Sequence, residues 1–185
     1  MKISFKQICR DYLALRGESP DLLPLLEEGE ESPVLTLSDE LRVLLPEAAI
    51  RATLECAPVC LDEIKEISPV PHVDDGGVRI LRMPADYLRL HSLRMADWKE
   101  PVRNTEEAST LRYALGANAP AWMVCRERPM VCEYRDPGGV FLRVYGSNSN
   151  SAPLHLMYVP LPSFDGENLQ ISIAAYRRML KTLCR

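Results

Sequence analysis

The chain has 185 residues, 46% hydrophobic and 26% charged, with a mean hydropathy of −0.13. These are the proportions of a folded domain and exclude collagen, long coiled coil and wholesale disorder. The net charge is −4, so a nucleic-acid binder would need a local basic stripe, and the sequence shows none. No run of about 18 apolar residues occurs, so no membrane-spanning helix is expected. The opening Met-Lys-Ile-Ser-Phe-Lys-Gln lacks the continuous apolar stretch of a secretion signal.

The first expected element is a helix over Ser4 to Arg16. Ser4 and Gln7 have capping-box spacing, Gly17 is a stop signal, and Phe5, Ile8, Cys9, Tyr12 and Leu15 make one apolar face. Glu18 to Pro33, with three prolines and the acidic run Glu27-Glu28-Gly29-Glu30-Glu31, reads as a solvated connector. Helical signals resume from Ser38, an N-cap followed by Asp39 and Glu40, and run to Ile67. Pro46 and Pro58 should divide that stretch into two or three short helices, because a proline inside a helix costs about 3 kcal/mol. Ala48, Ala49, Ala52 and Cys56 offer a small-residue face for close packing, and Leu61, Ile64 and Ile67 belong to the last short helix.

After the turn Asp74-Asp75-Gly76-Gly77 the apolar period changes to two. A strand begins at Val78. Leu88 and Leu90 alternate with Arg89 and His91, and a slip near Ser92 marks a β-bulge before Leu93 and Met95. Ala96-Asp97 is the expected turn, and Trp98 to Val102 the return strand. Thr105 to Leu115 fits a short helix or an irregular loop. Pro120–Glu127 and Met130–Tyr134 read as a strand pair, and Asp136-Pro137-Gly138-Gly139 as a turn into Val140–Tyr145. Gly146 to Ser151 is a flexible polar loop, Leu154 to Val159 a last strand, and Asn168 to Cys184 a closing amphipathic helix. Helices, then about six strands, then a helix give an α+β fold, with an antiparallel sheet or small sandwich packed with the N-terminal and C-terminal helices. The chain is expected to be one domain, with a helical part over 1–67, a β part over 78–160 and a helix over 166–185 that packs back on the helical part.

The residues offer little for catalysis. His72, His91 and His155 have no neighbour at ligand or triad spacing, and nucleotide-loop and nucleophile-elbow motifs are absent. The six cysteines, Cys9, Cys56, Cys60, Cys125, Cys132 and Cys184, read as thiols of a reducing compartment. Cys56 and Cys60 straddle Pro58 and lack a second pair at metal spacing, and Cys125 and Cys132 flank a turn that a disulfide would cross only in an oxidising environment. A Cys–His pair that meets only in space stays open. Trp98 and Trp122 each lie near a proline and fit core packing or an interface anchor. Arg89, Arg94 and Arg103 form a mild basic cluster on the same hairpin, a solvated strand face or an interface.

Met83-Pro84-Ala85-Asp86-Tyr87-Leu88-Arg89-Leu90, then Leu93-Arg94-Met95 and Trp98-Lys99-Glu100-Pro101-Val102, resembles the hairpin of head–tail connector or adaptor proteins of tailed bacteriophages, the tail-tubular-protein type that sits below the portal. Ala119–Trp122, the strands from Val131 to Tyr145, Tyr158-Val159-Pro160 and the closing helix follow in the same order, so the resemblance spans residues 38 to 185. It implies a structural virion or prophage protein that self-associates into a ring and meets portal and tail proteins, with no catalytic residue, cofactor or metal, no membrane and no sequence-specific nucleic acid. Trp98, Trp122, Arg89 and Arg94 are then the candidate interface residues. The protein would be cytoplasmic until it joins a virion. A non-catalytic interaction module of a bacterial surface or secretion assembly is the alternative, and a small hydrolase or metalloenzyme using Cys56, Cys60, His72 or His91 is the third.

Overall fold

The computed structural model describes residues 1–18, 33–68, 72–73, 78–106, 124–125, 127–148 and 151–184, with the backbone alone at 33–37 and 72–73. The fold is α+β and divides into two compact units, Met1–Glu63 with Leu161–Arg185, and Ile64–Pro160. The described residues hold three α-helices and three antiparallel sheets. Their ten strands exceed the six that the sequence marks, because five of them are only two or three residues long and carry no readable period.

The first unit joins the two ends of the chain. Strand β1 (Lys2–Ser4) pairs with β10 (Asn168–Gln170), which pairs with β9 (Ser163–Phe164). Helix α1 (Phe5–Arg16) starts where expected: Ser4 is its N-cap, accepting from the Gln7 N–H at 3.3 Å, and Gly17 closes it at φ +74°. Only half of the capping box forms, since the Gln7 side chain turns forward to Asp11 at 2.8 Å. Helix α2 (Pro33–Glu55) corrects the expectation of several short helices. It begins five residues before Ser38 and runs unbroken through Pro46. Pro46 is exposed, so the carbonyl at residue 42 that loses its donor stays within reach of water, while Leu41, Leu45, Ala49 and Ala52 bury the opposite side and hold the helix together.

The expected last short helix shrinks to one 3-10 turn, Pro58–Cys60. The closing helix is also shorter than its periodicity suggested. Asn168–Gln170 is spent on β10, and helix α3 covers Ile173–Leu183. Strand pairing with β1 outweighs helix propensity there, with Leu169 fully buried opposite Ile3. Helix α3 packs against both α1 and α2. Tyr176 donates its hydroxyl to Asp11 on α1 at 2.6 Å, and Arg178 reaches Glu55 on α2 at 2.7 Å.

The second unit is two facing sheets. One has the order β2 (Lys65–Ile67), β8 (Pro153–Pro160), β5 (Tyr87–Met95). The other runs β3 (His72–Val73), β4 (Arg79–Arg82), β7 (Gly139–Tyr145), β6 (Met130–Asp136). Ile64 and Ile67 were expected in a helix; instead Lys65–Ile67 pairs with β8, Ile67 opposite Leu156. Leu90, Leu93, Leu156 and Tyr158 of the first sheet meet Leu81, Val131, Leu142 and Val144 of the second in one core. The turn at Asp136–Gly139 is built as expected: Asp136 accepts the Gly138 N–H at 2.6 Å and β6 and β7 pair through all seven residues. The slip near Ser92 is present as a register shift between Leu90 and Ser92. Trp98–Val102 is not a return strand. Only Val102 bridges, exchanging two 2.8 Å backbone bonds with Leu93 on the edge of β5 opposite β8, because the chain first turns Trp98 into the core, its N–H bonded back to the Met95 carbonyl at 3.1 Å. Of the expected pair Pro120–Glu127 and Met130–Tyr134, the described part is a Cys125–Arg128 bridge leading into β6. Within Thr105–Leu115 only Thr105 and Glu106 are described, and Glu106 bridges in parallel to Cys132.

Candidate functional site

The candidate site lies on the face of β5 turned away from the core. Along Tyr87–Met95, the core takes Tyr87, Leu90, Leu93 and Met95, while Arg89, His91 and Arg94 remain half-buried. A strict alternation would send residues 91 and 94 to opposite faces. The register shift between Leu90 and Ser92 adds the residue that keeps all three basic side chains together. The pairing with β8 sets Arg89 opposite Val159 and Arg94 opposite His155, so a second imidazole joins the face.

The electrostatics follow from crowding like charges on a half-dry surface. Burial first, then the positive charges of Arg103 and Arg89 and the nearby His155, push the His91 imidazole below its usual value. His91 Nδ1 and Arg94 Nε are shielded from solvent and make no hydrogen bond. Buried polar nitrogens without partners are uncommon and costly. Here they are donors, or a ring nitrogen that becomes one on protonation, clustered with two further guanidinium groups. The chemistry such a face offers is recognition of carboxylates or other oxyanions by fork-shaped guanidinium groups.

The sequence-derived candidates separate into three situations. Arg89 and Arg94 stand together on this face. Trp98 is 2% exposed and belongs to the core between the sheets; its indole N–H donates to the Gly146 carbonyl at 3.1 Å. Trp122 lies outside the described residues, as do the acidic run Glu27–Glu31 and Asp74–Gly77. His155 and the half-burial of the arginines were not legible from sequence. Pairing across strands supplies His155, and no local pattern states which strand that will be.

Beside Trp98, the Ala96-Asp97 turn clamps part of the Gly146–Ser151 loop. Asp97 accepts from the Ser147 hydroxyl at 2.9 Å and the Asn148 N–H at 2.7 Å, and its own N–H donates to Ser151 Oγ at 3.3 Å. Burial would raise the Asp97 carboxyl, but Ser151, the Asn148 N–H and Ser147 together hold it below the usual carboxylate range. Ser149 and Asn150 lie outside the described residues.

No disulfide links the cysteines. Burial pushes the thiols of Cys9, Cys132 and Cys184 up, the opposite of the lowering that activates a nucleophilic thiol. Among the described residues no three His, Cys, Asp or Glu side chains converge in a metal-holding group. Among the same residues no helix is long and apolar enough to cross a membrane. The sequence matches no protein-family model and no curated protein.

Proposed function

We propose that the protein is a non-catalytic structural component of a tailed bacteriophage or prophage, a head–tail connector or adaptor that docks between portal and tail. The observation that supports this reading is the unity of the segment carrying the resemblance. Met83 to Val102 forms one element: strand β5, the Ala96-Asp97 turn and the Val102 bridge back to Leu93. Its apolar motif residues Tyr87, Leu88, Leu90, Leu93 and Trp98 are buried, and its arginines, Arg89 and Arg94, stand on the outer face. A motif with its apolar half spent on the core and its basic half turned out suits a docking strand. The partner surface it fits is acidic, because burial of the guanidinium groups against neutral surface would cost several kcal/mol per ion.

The first test is the DNA flanking the gene. Neighbours encoding a portal, a major capsid protein or a terminase are expected; a metabolic or envelope-assembly operon overturns the reading. The second is co-expression with the portal of the same genome. The full chain should co-purify with portal rings and lose that binding in Arg89→Glu/Arg94→Glu while keeping its circular dichroism spectrum. Unchanged binding by that variant would remove the basic face from the interface.

A further inference from the structure

The apolar face of α1 is not all spent on the core. Phe5, Ile8, Cys9 and Tyr12 are buried, but Leu15 is left 54% exposed. Helix α3 has the same remainder: Tyr176, Met179 and Leu180 are buried and Ile173 is 42% exposed. Both leftover residues line one groove of about 630 Å³ between α1 and α3, together with Ala14, Tyr176 and Leu180. A volume of that order with mostly apolar walls is usual for a small-molecule site.

The charged groups of the groove are of two kinds. The Asp11 carboxylate is engaged, accepting from the Tyr176 hydroxyl at 2.6 Å and the Gln7 amide at 2.8 Å. Arg177 and Lys181 are exposed and make no ion pair among the described residues, whereas the neighbouring Arg178 is spent on Glu55 at 2.7 Å. Arg177 and Lys181 stand four residues apart on α3, a spacing that brings Cβ atoms to about 5–6 Å. They form one cationic spot and not a strip along the groove. From Ile173 to Lys181 the helix rises about 12 Å, so an apolar wall of that length leads up to the spot.

We propose that the groove between α1 and α3 binds a small amphipathic carboxylate, a molecule with an extended apolar body and one anionic head. The body lies along Ala14, Leu15, Ile173 and Leu180 and takes the two exposed side chains out of water. The head is held by the Arg177 guanidinium, whose fork matches a carboxylate, and by the Lys181 ammonium. An acidic peptide would need cations spaced along the groove; a single pair, one turn apart, suits a single head. The groove belongs to the first unit and uses no residue of Met83–Val102, so this occupant stands independently of the connector reading.

The experiment is an amide NMR titration of the full chain with decanoate, kept below micelle formation at neutral pH. The resonances of Leu15, Ile173 and Leu180 are expected to move along one saturable curve. Decylammonium and decyl maltoside, with the same tail and a cationic or neutral head, should bind about tenfold more weakly or worse. Arg177→Gln/Lys181→Gln should weaken decanoate by about the same factor and leave decyl maltoside unchanged. Leu15→Asp/Ile173→Asp should bind none of the three. All four positions are exposed, circular dichroism checks that each variant is folded, and the glutamine pair alone keeps the test decisive if the aspartate pair fails to fold. No saturable shift at the groove, shifts centred elsewhere, or equal affinity for the three heads would each overturn the proposal. So would groove resonances that move on dilution of the free protein, which would make a second copy of the chain the occupant.

Discussion

Gly146 holds more of the second unit than its size suggests. Its φ is +78°, its carbonyl receives the Trp98 indole, and a Cβ built there would come within 2.6 Å of the Cys125 carbonyl oxygen and 3.2 Å of Pro129 Cα. Both obstacles are backbone and cannot swing aside. Gly17 has nearly the same φ, +74°, with nothing within 4 Å of the added carbon. The pair separates backbone conformation from crowding. Gly17→Ala should cost about 1–2 kcal/mol, the left-handed penalty alone. Gly146→Ala should cost clearly more and shift the indole environment, read as a lower urea midpoint together with a change in tryptophan emission. Equal losses in the two variants would mean that the close approach to Cys125 is not a constraint. His91 gives a second residue-scale test. Its folded value is lowered from 6.5, so below that pH the unfolded chain binds the proton more readily. Its contribution to stability is complete above about 6.5 and falls as the pH drops toward the folded value. A proton NMR titration of the His91 ring should give a midpoint below 6.5, and His91→Gln should flatten that part of the stability curve. A midpoint at or above 6.5 would show that the face is not the crowded cationic surface described above.

Helix α2 is where sequence reasoning and the fold part most clearly, and Pro46 is the reason. Treating proline as a break is sound for a helix judged alone, since the missing N–H and the ring clash cost about 3 kcal/mol. It fails here because the leucine and alanine contacts on the buried side extend across Pro46 from Leu41 to Ala52, while the proline itself faces water. The expected outcome of Pro46→Ala is therefore a gain of about 1–3 kcal/mol, as the carbonyl at residue 42 regains a donor. Thermal unfolding followed at 222 nm checks it, and a fall in the midpoint would mean that the packing of α2 on α3 depends on the proline. The same contest explains the other differences. Leu61, Ile64 and Ile67 have helical spacing, but Lys65–Ile67 finds an open edge on β8. Asn168–Gln170 continues the period of α3 backwards, but β1 offers it a partner from the far end of the chain. What was legible were elements whose signals are local: the caps of α1, the Asp136–Gly139 turn, the alternation in β5 and its bulge. Elements decided by a partner distant in sequence were not, and the basic site shared this fate, since Arg89 and Arg94 can be read along one strand but His155 comes from another.

The division into two units has a consequence for the whole molecule. The core cluster of the second unit runs from Leu81 to Tyr158, and strands β2 to β8 pair only with one another. Every contact that defines it is therefore contained in one uninterrupted stretch, Ile64–Pro160. The first unit is the reverse case. Lys2 pairs with Gln170, and Asp11 with Tyr176, so its sheet and its helix layer both need residues from the two ends of the chain. A unit closed across such a long insert bears the entropy of the closing loop unless the insert folds first and brings its own ends to fixed positions. Two fragments test this. The segment 64–160 expressed alone should fold, giving a dispersed amide spectrum and one cooperative urea transition. The fragment 1–160 should keep that transition while losing the helical signal of α1 and α2, because α3 and β10 are gone. A collapsed, poorly dispersed 64–160 would mean that the second unit depends on the first for stability. Helices retained in 1–160 would mean that the first unit does not need its C-terminal half.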